Sequence, residues 1–132
     1  MNQPKKLTPN QTAVLETLSK SDKPLSAYEI LSFENIRDSG IKAPLTVYRA
    51  LDKLIDTGRV HRIESLNAFV ACDGNPHIEP AGFVICEECK NTMELRIRDC
   101  EDHLTKDALK KGFQVKGIRV EVTGTCSDCQ KK

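Results

Sequence analysis

Two pairs of cysteines carry the clearest chemistry in this sequence: Cys86-Glu87-Glu88-Cys89 and Cys126-Ser127-Asp128-Cys129. Each Cys-x-x-Cys turn presents two thiolates at a spacing that suits the sulfur bonds of about 2.3 Å made to tetrahedral zinc. The 36 residues between the pairs exceed the spacer of a zinc ribbon, so the pairs are expected to close a whole β-α-β unit rather than a small finger. Four thiolates fill a tetrahedral ion and leave no position for a reacting water, which makes the expected site structural. The competing chemistry is a pair of redox-active disulfides, but neither pair follows a thioredoxin-like βαβ start. Cys100 is left over, and a buried helix thiol is its expected state.

A second set of donors lies around the stretch Cys72–Glu94, where the character of the sequence changes. It comprises His61, Cys72, His77 or Glu79, and Glu94. Each has an ordinary explanation alone: a strand histidine, a small buried hydrophobe, a solvated charge. Together they mix nitrogen, sulfur and oxygen donors across a presumed joint between two lobes, and that mixture suits zinc. His77-Ile78-Glu79 followed by Cys86-x-x-Cys89 also echoes the signature of zinc deaminases. The gap is too short for the usual strand and helix, and Ile85 stands where proline is expected. No enzyme and no small organic substrate are therefore expected.

The elements that must position these groups are constrained by composition. With 132 residues, 39% hydrophobic and 30% charged, the chain reads as one ordinary globular domain or two small ones. It has no tryptophan and only 5% aromatic residues, so Leu, Ile and Val must fill the core. No apolar run approaches the roughly 18 residues of a membrane span. The opening MNQPKKLTPNQ lacks the apolar stretch of a signal peptide. A cytoplasmic setting is expected, where paired cysteines hold metal more often than disulfides. The net charge of +1 divides into +2 for residues 1–71 and −1 for residues 72–132, so charge alone does not indicate nucleic acid.

Local pattern does. Thr8-Pro9-Asn10-Gln11 is a capping box opening a helix over about residues 9–20, with Val14, Leu15 and Leu18 on one face. Ser26-Ala27-Tyr28-Glu29 repeats that logic for a second helix, buried through Ile30, Leu31 and Phe33. A third helix, about Leu45–Thr57, carries the core stripe Val47, Ala50, Leu51, Leu54 and Ile55, and Gly58 closes it. The period then switches to two, giving strands at Val60–Arg62 and Asn67–Ala71 around a Glu64–Leu66 turn. Three helices and a hairpin make a winged helix-turn-helix, which places the third helix in the major groove of double-stranded DNA. Arg49 suits a guanine edge, Thr46 and Tyr48 suit phosphate or thymine methyl groups, and Lys42 and Arg62 suit phosphate. The alternative is that Tyr48 simply packs and Arg49 is a solvated charge.

In the second half, Phe83–Ile85 and Thr92–Leu95 read as strands flanking the first cysteine knuckle. Asp99 is the expected cap of a helix to about Lys111, with Leu104, Ala108 and Leu109 inward and Gly112 at its end. Phe113–Val122 is expected to be a strand. A lobe this small needs metal or a partner to be stable.

The chain resembles the ferric uptake regulator family, and within it the zinc uptake regulators. The resemblance rests on Pro24-Leu25-Ser26-Ala27-Tyr28, on Ala43-Pro44-x-Thr46-Val47-Tyr48-Arg49-Ala50-Leu51, and on the run from Val60-His61-Arg62 to Asn67-Ala68-Phe69-Val70-x-Cys72. It continues through Cys86-x-x-Cys89, Gly112-Phe113 and Glu121-x-x-Gly124-x-Cys126-x-x-Cys129. The resemblance implies an α+β architecture: a winged-helix DNA-binding domain over 1–72, a hinge over 73–82, and a small α/β dimerisation domain over 83–132. It implies a structural zinc on Cys86, Cys89, Cys126 and Cys129, and a regulatory zinc on His61, Cys72, Glu94 and one hinge ligand. Counting back from Cys86 puts Glu79 at the expected spacing, whereas imidazole chemistry favours His77. Tyr28 and Arg49 are the implied DNA-reading side chains. The implied function is a homodimeric repressor that binds operator DNA when zinc is bound and controls zinc-uptake genes. The alternative is a relative that senses iron, manganese or peroxide. The histidine run of iron- and peroxide-sensing relatives is missing, so the resemblance does not extend to a third metal site.

Overall fold

The computed structural model describes residues 6–72 and 82–131. The expected hinge, with His77 and Glu79, falls on 73–82 and so lies outside the described residues apart from Gly82. The chain separates into two compact units, Met1–Ile78 and Glu79–Lys132.

The first unit begins with α1 (Pro9–Lys20), where the Thr8 hydroxyl accepts from the Gln11 amide and the Gln11 side chain accepts from the Thr8 amide. This reciprocal pair satisfies two backbone donors that a helix start otherwise leaves bare. Ser26 and Glu29 repeat it at α2 (Ala27–Leu31). A further helix, α3 (Glu34–Asp38), follows at once, so the described residues of the unit form four helices where three were expected. Phe33 is not on the buried face of α2; it occupies the cap position of α3 and is 40% exposed. The buried roles in this corner go instead to Ile36 and Ile41.

Helix α4 (Pro44–Asp56) opens on a proline, whose fixed φ suits the first helical position. It buries Val47, Ala50, Leu51 and Leu54. Gly58 ends it at φ 75°, and the amides of Gly58 and Arg59 bond the carbonyls of Ile55 and Leu54 at 2.9 Å each. That closure requires a left-handed residue, which glycine adopts without a Cβ penalty. β1 (Val60–Ile63) then pairs antiparallel with β2 (Ala68–Ala71) across a single 3-10 turn, Glu64–Leu66, completing the wing. Leu25 bonds Phe69 through both backbone groups, at 3.0 and 2.8 Å, and so ties the wing to the helices. Val14, Ile30, Ile36, Val47, Leu51, Leu54 and Val60 are fully buried between them.

The second unit is a three-stranded sheet ordered β4-β3-β5. β3 (Gly82–Cys86) runs antiparallel to β4 (Thr92–Leu95) and parallel to β5 (Val120–Gly124), with α5 (Arg98–Lys110) between β4 and β5. A four-residue helix, α6 (Ser127–Gln130), ends it. Four expectations fail here. The cap position of α5 belongs to Ile97, and Asp99 lies inside its first turn. Leu104 and Leu109 face outward, and no residue of α5 is buried. The strand covers only Val120–Gly124, the five positions that pair with β3. Cys100 is exposed rather than buried. Among the described residues of this unit the buried apolar side chains are Phe83, Ile85, Cys86, Ile97 and Cys129, a small set for a conventional core.

Candidate metal centre

Cys86 is the last residue of β3, and the chain reverses just beyond it. The Lys90 amide donates to the Cys86 carbonyl at 2.9 Å, and the Cys86 amide donates to the Asn91 carbonyl at 2.9 Å. Lys90 takes φ 66° to make this turn, an uncommon conformation for a side chain of its size. Cys89 is thereby folded back towards Cys86, and the Asn91 amide donates to its sulfur at 3.4 Å. The parallel pairing of β3 with β5 delivers the second pair. Cys86 lies opposite Gly124, the Glu87 amide donates to the Gly124 carbonyl at 2.8 Å, and the chain continues directly into Cys126. The Cys126 amide donates to the Cys86 sulfur at 3.4 Å, and the single turn of α6 carries Cys129 into the interior.

The four sulfurs converge on one point, all within 4.8 Å of one another. Cys89 and Cys126 are 3.7 Å apart, sulfur to sulfur. Bonds of about 2.3 Å directed tetrahedrally put sulfurs about 3.8 Å apart, so the donor set fits zinc in both number and spacing. That contact crosses between the two Cys-x-x-Cys pairs, whereas disulfides within each pair would hold the sulfurs as separate couples. The electrostatics also suit a metal. Backbone N–H groups around Cys89 and Cys126 lower the Cys86 thiol to about 6, stabilising one thiolate in advance. The Cys129 thiol is pushed upward by its hydrogen bond to the Cys126 sulfur and by burial. A cation at the centre reverses that penalty, since coordinating thiols deprotonate.

The other expected donors are placed within their own units. His61 pairs with Val70 across the wing, and Cys72 lies two residues beyond Val70, so both point to the same sheet face. The Cys72 amide donates to the Arg59 carbonyl at 2.8 Å, extending the ladder and holding the thiol in register. Imidazole nitrogen and Cys72 sulfur lie within 4.8 Å, and both residues are half-buried. In the second unit Glu94 is half-buried on β4, opposite Phe83.

Among the expected DNA-facing residues, Arg49, Lys42 and Tyr28 are exposed, Tyr28 to 67%. Thr46 is half-buried at the start of α4. Tyr48 packs, its ring standing edge-on to Phe69 with centroids 6.5 Å apart. Arg62 is engaged within the wing, donating to the Asn67 side-chain oxygen at 2.9 Å and lying 3.8 Å from the Glu64 carboxylate. One exposed residue escaped the reading of the sequence: Leu45, a turn before Arg49 on α4. Its spacing of four from Arg49 was the available signal.

Comparison with known proteins gives a consistent picture. The profile of the Ferric uptake regulator family matches residues 2–123. The Zinc uptake regulation protein of Escherichia coli (strain K12) is 35% identical over 127 residues, covering 94% of this chain and 72% of the relative. The crystal structure of holo XcZur superposes with a TM-score of 0.87 at 40% identity, covering 98% of this chain and 90% of that one. A zinc uptake regulator complexed with zinc and DNA gives the same TM-score of 0.87 at 34% identity, covering 96% and 84%.

Proposed function

The chain belongs to the ferric uptake regulator family, and on that premise we propose that it is a zinc-responsive transcriptional repressor. It binds operator DNA as a homodimer when zinc is bound and controls zinc-uptake genes. The observation that carries this reading is the likeness, along nearly the whole chain, to a zinc uptake regulator solved with zinc and DNA. The coordination chemistry agrees with it. Four thiolates close a tetrahedral ion and leave no site for a reacting water, which supports a regulator rather than an enzyme.

The two zinc sites have different tasks. Cys86, Cys89, Cys126 and Cys129 would hold the structural ion, which contributes on the order of 10 kcal/mol or more to folding in such sites. His61, Cys72, Glu94 and either His77 or Glu79 would hold the regulatory one. Bound zinc would supply a redox-inert cross-link at both. A thiol and an imidazole in the second set favour zinc over manganese, which suits carboxylate, carbonyl and water ligands better. His61 and Cys72, tied through a shared ion to Glu94, would hold the wing at a fixed separation from its copy in the dimer. Without that tie the reading helices sample many separations, so metal acts by shifting a population.

The dimer reading rests on unsatisfied surface. Met93, Leu109 and Phe113 are each about two-thirds exposed, and Leu104 and Val122 also face outward. β5 has β3 on one side and no described strand on the other. An exposed edge strand beside apolar side chains suits pairing with a second copy. No helix among the described residues is long and apolar enough to cross a membrane; a cytoplasmic location follows from the proposed role in transcription.

The reading is tested by metal analysis of purified protein, then by operator binding with zinc, iron or manganese at buffered free concentration. Two zinc ions per chain are expected, one removable by mild chelation, with zinc alone restoring binding. Equal restoration by iron or manganese would overturn the zinc assignment.

A further inference from the structure

Leu45 is exposed over 59% of its surface, although it is only the second residue of α4. At about 100° per residue it stands opposite the buried stripe of Val47, Ala50, Leu51 and Leu54, on the same outer line as Arg49 one turn later. The helix has no need of it there. Pro44 starts the helix, the buried stripe anchors it, and Gly58 ends it. A leucine that contributes nothing to the core is held at the centre of the face directed away from it.

We propose that Leu45 is a specificity-determining residue, making apolar contact with the C5-methyl group of a thymine next to the base faced by Arg49. This rests on the DNA-binding reading given above. The first residues of a reading helix reach the base edges in the major groove. Those edges offer hydrogen-bond donors and acceptors, which a leucine cannot use, and one apolar feature, the thymine methyl. Leu45 and Arg49 thus form a two-residue stripe, the first selecting a methyl and the second a pair of acceptors. Thr46 and Tyr48 flank this stripe and are both half-buried, which leaves Leu45 as the exposed large apolar side chain of α4.

The test uses the full-length, zinc-loaded protein. A duplex that it binds is first selected from random sequence, and each thymine is then replaced in turn by uracil, which removes the methyl and keeps every hydrogen-bonding group. Wild type should bind about fourfold more weakly when uracil replaces one particular thymine of each half-site, the loss expected for one methyl buried at about 0.8 kcal/mol. Leu45→Ala should bind the thymine duplex with a similar loss and be indifferent to uracil at that position. Leu45→Met, which keeps an apolar group, should retain the thymine preference. Wild type indifferent to every uracil replacement, or a Leu45→Ala variant as sensitive as wild type, would overturn the proposal and leave the repressor reading intact. Failure of the zinc-loaded wild type to select any duplex would instead overturn both.

Discussion

Cys86 is held by three separate backbone constraints: its strand pairing with Gly124, its turn with Lys90 and Asn91, and the Cys126 amide on its sulfur. A thiol positioned this way belongs to the fold of its unit, and a thiol on the wing does not. Cys72 adds only the last rung of a two-stranded ladder. Cys89→Ser is therefore expected to melt the second unit and abolish dimers, read by circular dichroism and sedimentation. Cys72→Ser should leave a folded dimer whose DNA binding no longer responds to zinc. Equal unfolding of both variants would contradict a division into two sites. Arg49→Ala is expected to cost about 1–3 kcal/mol of operator preference and little non-specific binding, measured by competition against random duplex. The cluster of Cys86, Cys89, Cys126 and Cys129 was readable from the sequence because cysteine spacing speaks directly of metal geometry. Leu45 was not, because a leucine near a helix start looks like core until its neighbours occupy the core without it.

At the scale of elements, local chemistry decided some boundaries and tertiary packing the others. Thr8 and Ser26 carry their own capping partners three residues later, and both helices start where those boxes predict. Helix α3 has no such box, since Phe33 makes no side-chain cap, and only the burial of Ile36 marks it. The strand expected over Phe113–Val122 depended on what it could pair with, and alternation of residues cannot say how far the partner extends. Leu104 and Leu109 read as core because helix periodicity marks an apolar face without saying whether this chain or a second copy covers it. Gly82 is a different case. It opens β3, and a Cβ there would overlap the Ile97 side chain, one of the few buried in its unit. Gly82→Ala should therefore destabilise the second unit by about 1–3 kcal/mol, the usual cost of overpacking, seen as a lower thermal midpoint in zinc-loaded protein. An unchanged midpoint would mean that β3 and Ile97 can separate freely.

At the scale of the molecule, the two units divide the work. The first holds the helix proposed to read DNA on a packed core, and the second gathers four cysteines and leaves apolar side chains exposed. Their coupling is the central claim: zinc at the second site and operator DNA favour the same arrangement of the dimer. Coupling of that kind is reciprocal, because each ligand must tighten the other by the same factor. A pronounced response, from about 1% to 99% competent, needs a differential of about 5.5 kcal/mol. The most direct test measures zinc affinity at the regulatory site in the full-length dimer, using a metal buffer, with and without saturating operator duplex. The account predicts that operator tightens zinc severalfold or more, by the same factor as zinc tightens operator, and that Cys72→Ser abolishes the effect. A zinc affinity unchanged by operator DNA would contradict it.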